Sequence, residues 1–437
     1  MLLASVGFAF LLLPFSAVCY YLISNRFKTA ALMLICALFL GMMEPAAAPW
    51  ALLSIAADYL AVLSVWKFEL KGRARRWLLE AFCLKNLVLS AIFCVFLPLL
   101  RETPAPAGFL VISANATIYL WQLLQEKIGR LDSPCVFGAY CLFFGRLPMG
   151  PIGQTERLLP LLRAPKPSLS GIGQGVARFS VGLAKRVIFA QQLILTGKAL
   201  ETAAQREFSV AAAWMLVLCC ALIWYFILSS YSDMAMGLAK IFSLELPRTV
   251  YFPYQSRSFA EYVYRSNMAL GDHIRALLSS YPAWLCDLAL PILLCVWAAP
   301  TRGAFLWGGW MALLLLLERF AFSRLPKRPG VLCRIVTYLI SLPAFAFLLS
   351  GSAAGGLALV RAMFGLGGFQ VVSGEVLYII FSNGPLFLLA MVSSSSVFDQ
   401  ADHFIAQKFP AAHSVLSSTL NIGLIILTTS FLLEFMR

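Results

Sequence analysis

Charge is scarce in this chain, so the places where it occurs are the first places to look for chemistry. The stretch YSDMAMGLAKIF, Tyr231 to Phe242, sets Tyr231, Ser232 and Asp233 among small and thioether residues. The segment before it, AAAWMLVLCCALIWYFILSS, is apolar enough to cross a membrane. A carboxylate at the centre of a bilayer costs about 2.5–3.5 kcal/mol even on the lower scales. Asp233 therefore requires an internal partner, a helix to cap or a reaction to serve. Arg248, Arg257, Arg265 and Arg275 follow among aromatic residues and could supply the partner.

Other reactive types are thinly spread. The three histidines, His273, His403 and His413, are too few and too dispersed to form a metal cluster, and no metal site is expected. The eleven cysteines are single apart from Cys219-Cys220 and lie mostly in apolar runs. They show no CxxC pair, so they read as small buried hydrophobes rather than a disulfide or metal framework.

The elements that must position these residues follow from composition. Of 437 residues, 61% are hydrophobic and 12% charged, and the mean hydropathy is +0.83. A soluble domain carries about a quarter charged residues. The chain reads as an all-α polytopic membrane protein, since backbone polar groups in lipid must be satisfied within helices and no alternating barrel pattern is present. Apolar runs fall roughly at 2–23, 30–43, 48–66, 77–100, 107–125, 134–147, 208–230, 283–299, 303–323, 331–350, 372–394 and 411–435. They predict about ten to twelve membrane-embedded helices, with 30–43 and 134–147 short for a full crossing. The first run has its basic residues, Arg26 and Lys28, after it. A cleaved signal has the opposite order, so a retained helix is expected.

The net charge of +14 would suggest nucleic acid in a soluble protein. Here the basic residues sit in short loops between apolar runs, which points to topology and anionic membrane lipid instead, with no nucleic-acid role. KFELKGRARR, Lys67 to Arg76, holds five basic residues and RLPKR, Arg324 to Arg328, holds three. Placing both in the cytoplasm puts the N-terminus outside and the charge-poor loop at 101–108 on the outer face. The whole chain reads as one integral-membrane domain: N-terminal helices over 1–147, a cytoplasmic Pro/Gly loop and interfacial helix over 148–206, a core over 207–323, and C-terminal helices over 324–437. Within 176–188, apolar positions intermix with Arg178, Lys185 and Arg186, which predicts a helix with a basic face at the cytoplasmic surface. Residues 244–280 are too polar for a plain span and predict short helices and loops buried in protein.

At this point the central block, YSDMAMGLAKIFSLELPRTVYFPYQSRSFAEYVYR, resembles the signature of the membrane-bound O-acyltransferase family, in the bacterial branch of alginate O-acetylase and the teichoic acid D-alanyl transfer protein. That branch reads GYSDMAIGLGRMLGF and then NYPYxSRSIxEFWRRWHISL. FFGRLPMGPIGQTERLLPLL is similar to its FFPQLIAGPIxRYxDFxPQL, GLAKRVIFA to GLAKKVLLA, LFLGMMEP to LFYGWWEP, and LWGGWMALLLLLERF to LWGLLHGLLLVLER. The resemblance runs over nearly the whole chain in order. It implies a ring of helices around a central funnel, lined or braced by Tyr231, Ser232, Asp233, Arg257 and Arg265. It also implies no bound cofactor, a cytoplasmic acyl thioester donor (acyl-CoA or an acyl carrier protein), and transfer to a hydroxyl of an exported polysaccharide. The expected location is the bacterial inner membrane, with an acyl donor protein or an extracytoplasmic acyltransferase as partner.

Two positions carry the family's chemistry, and both depart here. The histidine of RRWHISL, which can be asparagine in other branches, aligns with Asn267, which can hydrogen-bond but is not a base. The histidine of LWHGAxWxFxLWG, the general base in that family, aligns with Ala298, flanked by Trp297 and Trp307. RDYLYIPLGGNR is lost after Arg275, and the acid of FDFSGYSD is Ile227. His273 lies six residues beyond Asn267, about 240° around a helix, on another face. The sequence therefore predicts that Asn267 and position 298 share one cavity. It leaves an O-acyltransferase with an altered mechanism, a catalytically silent binding or scaffold relative, and a transporter. The absence of an inverted repeat counts against the last.

Overall fold

The computed structural model describes residues 2–98, 106–129, 131–147, 149–277, 282–298, 301–320 and 330–434. Among these the protein is all-α, with one isolated bridge between Ser209 and Gln370 in place of any sheet. Eight helices are long and apolar enough to cross a bilayer: Asn25–Met43, Ala48–Lys67, Gly72–Phe96, Ala107–Leu124, Val210–Ile241, Arg302–Phe320, Gly330–Ser350 and Val415–Glu434. A ninth arises if Gly374–Ser382 and Gly384–Ser393, bent by 57° at Asn383, form one broken span. Phe8–Leu22, Ala283–Cys295 and Ala353–Met363 are shorter apolar helices. The chain is a multi-pass membrane protein.

Residue contacts divide the chain into two compact units, Met1–Phe179 with Ser232–Arg248, and Ser180–Tyr231 with Thr249–Arg437. In the first unit, buried polar residues join the helices. Near the middle of Ala48–Lys67, Asp58 meets the Lys85 ammonium at 3.0 Å and accepts from Asn86 Nδ2 at 3.1 Å. Lys85 also donates to Ser54 Oγ at 2.8 Å. Asp132 takes Arg163 in a two-pronged contact, 2.6 and 2.9 Å, and the Tyr119 hydroxyl at 2.9 Å. Arg146 is fully buried and donates to Asn115 Oδ1, the Gly153 carbonyl and the Tyr140 carbonyl. Asn115 Oδ1 accepts the Gly153 N–H as well, so these residues fold the GPIG turn onto the unit.

Glu44, in LFLGMMEP, explains its own motif. Its two carboxylate oxygens accept the N–H groups of Gly108 and Phe109, 2.8 and 3.2 Å away, at the start of Ala107–Leu124. The first-turn N–H groups have no partner inside the helix and attract negative charge. Burial pushes the Glu44 carboxyl up, and the two N–H donors oppose that. Gly108 is small for a reason too, because a Cβ there would stand 3.1 Å from both oxygens.

The second unit contains residues 249–277 of the polar region, which form extended chain, a turn of 3-10 helix at Pro253–Gln255, and two short helices, Phe259–Ser266 and Met268–Leu277. These pack on Ala283–Ala298 and Arg302–Phe320. Tyr225, Tyr254, Tyr262 and Tyr338 cluster here with ring centroids 5.1–6.0 Å apart.

The 134–147 run, short for a crossing, is the nine-residue helix Pro134–Leu142 and a 3-10 turn, almost wholly buried in the first unit. One expectation changes. The 176–188 segment does not present a basic face outward. It is continuous helix, Leu169–Ala184 followed by the π-turn Lys185–Ala190. Arg178 pairs with the buried Asp233, Lys185 donates to Ser229 at 2.9 Å, and Arg186 is 7% exposed. The mixed pattern arises because Arg178 and Lys185 serve internal acceptors, which hydropathy alone cannot distinguish from a wetted face. The loops at 101–105 and 324–328 lie outside the described residues.

Candidate functional site

Within the first unit Asp233 is 1% exposed, and its Oδ1 is 2.7 Å from Arg178 Nη2. The arginine found on Asp233 thus precedes it in the chain. The approach that permits it is glycine-dependent. A Cβ at Gly237 would lie 2.5 Å from the Phe179 nitrogen and 2.6 Å from the Gly175 carbonyl, and one at Gly175 would lie 2.7 Å from the Gly237 carbonyl. Two helices touch backbone to backbone, as small residues allow in membranes. Gly237 sits four residues after Asp233, one turn on, so SDMAMG supplies both the acid and the close crossing. The Asp233–Arg178 contact braces the crossing. Ser232 is also buried in this unit, and Tyr231, which belongs to the second unit, is half-buried.

In the second unit the family block reads as helix-capping chemistry. Ser258 Oγ accepts the Glu261 N–H at 3.0 Å, and Glu261 Oε2 accepts the Arg257 N–H at 2.7 Å. This is the reciprocal capping of S-x-x-E, shifted by one residue, at the start of Phe259–Ser266. Glu318 adds a third acceptor, its Oε2 taking the Ala260 N–H at 3.1 Å. Arg265 pairs with Glu261 at 2.6 Å and lies over the Tyr251 ring at 5.6 Å. Arg257 is exposed, its guanidinium against Gly330. Burial pushes the phenols of Tyr254 and Tyr262 well up, so both hydroxyls stay neutral.

Asn267 is 4% exposed and stands between the two short helices. Its Oδ1 accepts the Leu270 N–H at 3.1 Å, which makes it the N-cap of Met268–Leu277. The acceptor atom is thus engaged by backbone, and the side chain positions a helix. Position 298 ends the helix Ala283–Ala298, and the side chains of 296–298 lie outside the described residues, as does the expected cavity shared with Asn267. Trp307 is fully buried, 5.5 Å from Trp224 and 6.0 Å from Phe345 between ring centroids.

His413 Nε2 lies 2.9 Å from Asp402 Oδ1, His403 is exposed, and His273 is half-buried. Among the described residues no group of three or more ligating side chains could hold a metal. Sequence reasoning did not single out Glu318, Asp58 or Lys85. The signal was present for the last two, a lone acid and a lone base each near the centre of an apolar run.

No protein-family model matches the chain. It is similar to the "probable alginate O-acetylase" of Pseudomonas aeruginosa, 22% identical over 411 residues, covering 85% of this chain and 76% of that protein. The protein of the same name from Pseudomonas syringae pv. tomato is 23% identical over 408 residues, with the same coverage. A shorter stretch of 147 residues, 32% of this chain, is 26% identical to the peptidoglycan O-acetyltransferase of Helicobacter pylori and covers 27% of it.

Proposed function

We propose, from the chain's likeness to the alginate O-acetylases of the membrane-bound O-acyltransferase family, that it is a membrane protein of O-acetyl transfer to a cell-surface polysaccharide. One observation carries the reading: the motifs that agree with the family have their polar side chains partnered here. Glu44 caps a helix, Asp233 pairs with Arg178, Ser258 and Glu261 cap the central block, and Glu318 joins them. These contacts support retention of the family's frame.

The chemistry built on that frame differs. The family takes the acceptor's proton with a histidine, which Ala298 replaces, and a methyl group accepts no proton. Asn267 holds a helix N-terminus through Oδ1, which leaves only its Nδ2 to donate to a substrate. The usual base-assisted attack of a hydroxyl on a thioester is therefore impaired. The Ala298 position and the capping bond of Asn267 favour, as the second reading, a binding or scaffold subunit of an envelope polysaccharide system. In either role the donor would be an acyl-CoA or an acyl carrier protein and the partner an extracytoplasmic acyltransferase. The location would be the inner membrane, with the N-terminus outside and 67–76 in the cytoplasm.

The test is transfer from an acetyl thioester to a polysaccharide by the purified full chain, beside an active relative. Wild type is expected to transfer little. Ala298→His is expected to raise transfer, by up to the roughly 10²–10⁴-fold that a general base contributes. Robust wild-type transfer that Asn267→Ala leaves unchanged would move the chemistry elsewhere.

A further inference from the structure

The second unit contains a cleft of about 640 Å³ where the start of Ala283–Ala298, the end of Arg302–Phe320 and the start of Phe259–Ser266 diverge. Its size falls within the range of small-molecule sites, roughly 300–1,000 Å³. The lining is two-natured. Leu288, Leu315 and Phe320 give an apolar wall, and Asp287, Glu318 and Arg319 stand at the same opening with Trp284.

Each polar group is held in place. Arg275 grips Asp287 at 3.1 Å and is itself stacked over Tyr264 at 4.4 Å, whose hydroxyl donates to Asp272 at 2.7 Å. Glu318 is fixed by the Ala260 N–H, and the Arg319 guanidinium lies 5.4 Å from the Trp284 ring centroid. A helix cap alone would account for Glu318. It would not account for a second carboxylate and a guanidinium converging on the same apolar opening.

The geometry points to a binding site for the head of an aminophospholipid from the surrounding bilayer, a primary ammonium joined to a phosphodiester. Two carboxylates can accept from the ammonium, and a guanidinium matches phosphate. The amine is specified as primary for a physical reason. A quaternary ammonium donates no hydrogen bond to a carboxylate and is recognised by aromatic faces. Trp284 already carries Arg319, and the one further lining ring, Phe320, does not make an aromatic cage. An anionic head without an amine would bring like charge against Glu318 and Asp287 and offer their remaining lone pairs no donor. Acyl chains have a path, because Ile292 and Leu293 on one helix and Leu313, Leu317 and Phe320 on the other are exposed. The site is independent of acyl transfer, since its ligand is a resident lipid.

The test uses the full-length protein in mild detergent, stripped of lipid. Phosphatidylethanolamine, phosphatidylcholine and phosphatidylglycerol are then added separately, and binding is read by native mass spectrometry and by the shift of thermal unfolding. Phosphatidylethanolamine is expected to bind and stabilise preferentially. Arg319→Gln is expected to weaken it by about tenfold, the effect of one charge-assisted contact, and Trp284→Ala, which removes the ring that holds Arg319, to weaken it by a smaller factor. Equal binding of all three lipids, preference for phosphatidylcholine or phosphatidylglycerol, or undiminished binding by folded variants would overturn the assignment. The wild-type comparison of lipids decides it even where a variant does not fold.

Discussion

In the first unit Asp58, Asp132 and Asp233 are each no more than 4% exposed, and each is held by a lysine or arginine from another helix or loop. In the second unit the acids that shape the central block, Glu261, Asp287 and Glu318, are partly exposed. Its largest buried polar side chains are instead tyrosines and tryptophan. The difference separates two uses of charge inside an apolar chain. Buried acids paired with a cation fasten segments that are distant in sequence. Partly exposed acids at helix starts orient short segments, and each contributes modestly. A residue's membership in a family motif does not say which use it serves.

The sharpest way to break this contrast is to remove one partner of a buried pair. Asp233→Ala removes the acid that the partly exposed Arg178 binds and is expected to destabilise the purified protein by about 1.5–3 kcal/mol, the range for a hydrogen bond to a charged group. Asp233→Leu combined with Arg178→Met is expected to recover most of that, because a buried pair replaced by apolar groups is often near neutral. Unfolding in detergent measures both. A single substitution as mild as the double would mean that the pair is not load-sharing and that Asp233 is present for another reason.

Next in size is the crossing that brings the pair together. Gly237→Ala places a methyl 2.5 Å from the Phe179 backbone nitrogen. Backbone yields less than a side chain, so the overpacking loss is expected at about 1–3 kcal/mol. A neutral Gly237→Ala would show that the two helices can separate without consequence. The matched test in the second unit is Ser258→Ala, which removes one cap and is expected to cost about 1 kcal/mol. If the Ser258 change proved as damaging as Asp233→Ala, the distinction between the units would fail.

What could be read from sequence followed the same division. Long apolar runs announced the helices, and the polar 244–280 stretch announced short elements. Asp233 stood out as a charge that needed a partner, and Arg178, which binds it, lies 55 residues away. In one sequence nothing pairs those positions, and Arg178 sat in a segment whose mixed pattern imitated a wetted basic face. Asp58 and Lys85 were hidden by averaging, since one charge barely lowers the mean hydropathy of a twenty-residue run. The Glu44 cap was visible only as a motif, because its purpose depends on a helix that starts at Ala107.

The smallest effect is the most informative about the candidate site. Asn267 aligns with a family position for catalysis, yet its Oδ1 caps Met268–Leu277. A cap and a substrate ligand respond differently to conservative change. Ser and Asp cap about as well as Asn, whereas Ala costs about 1 kcal/mol. If capping is the whole role, Asn267→Ser and Asn267→Asp keep wild-type stability and leave any residual transfer unchanged, and Asn267→Ala loses stability alone. If Nδ2 also holds the acceptor, the picture splits. Neither Ser nor ionised Asp offers an amide N–H pair, so both would keep the fold while transfer or acceptor binding falls. The stability series and the transfer series of the same three variants therefore separate a residue that positions a helix from one that touches substrate, and a parallel fall in both with Ser and Asp would contradict the capping geometry itself.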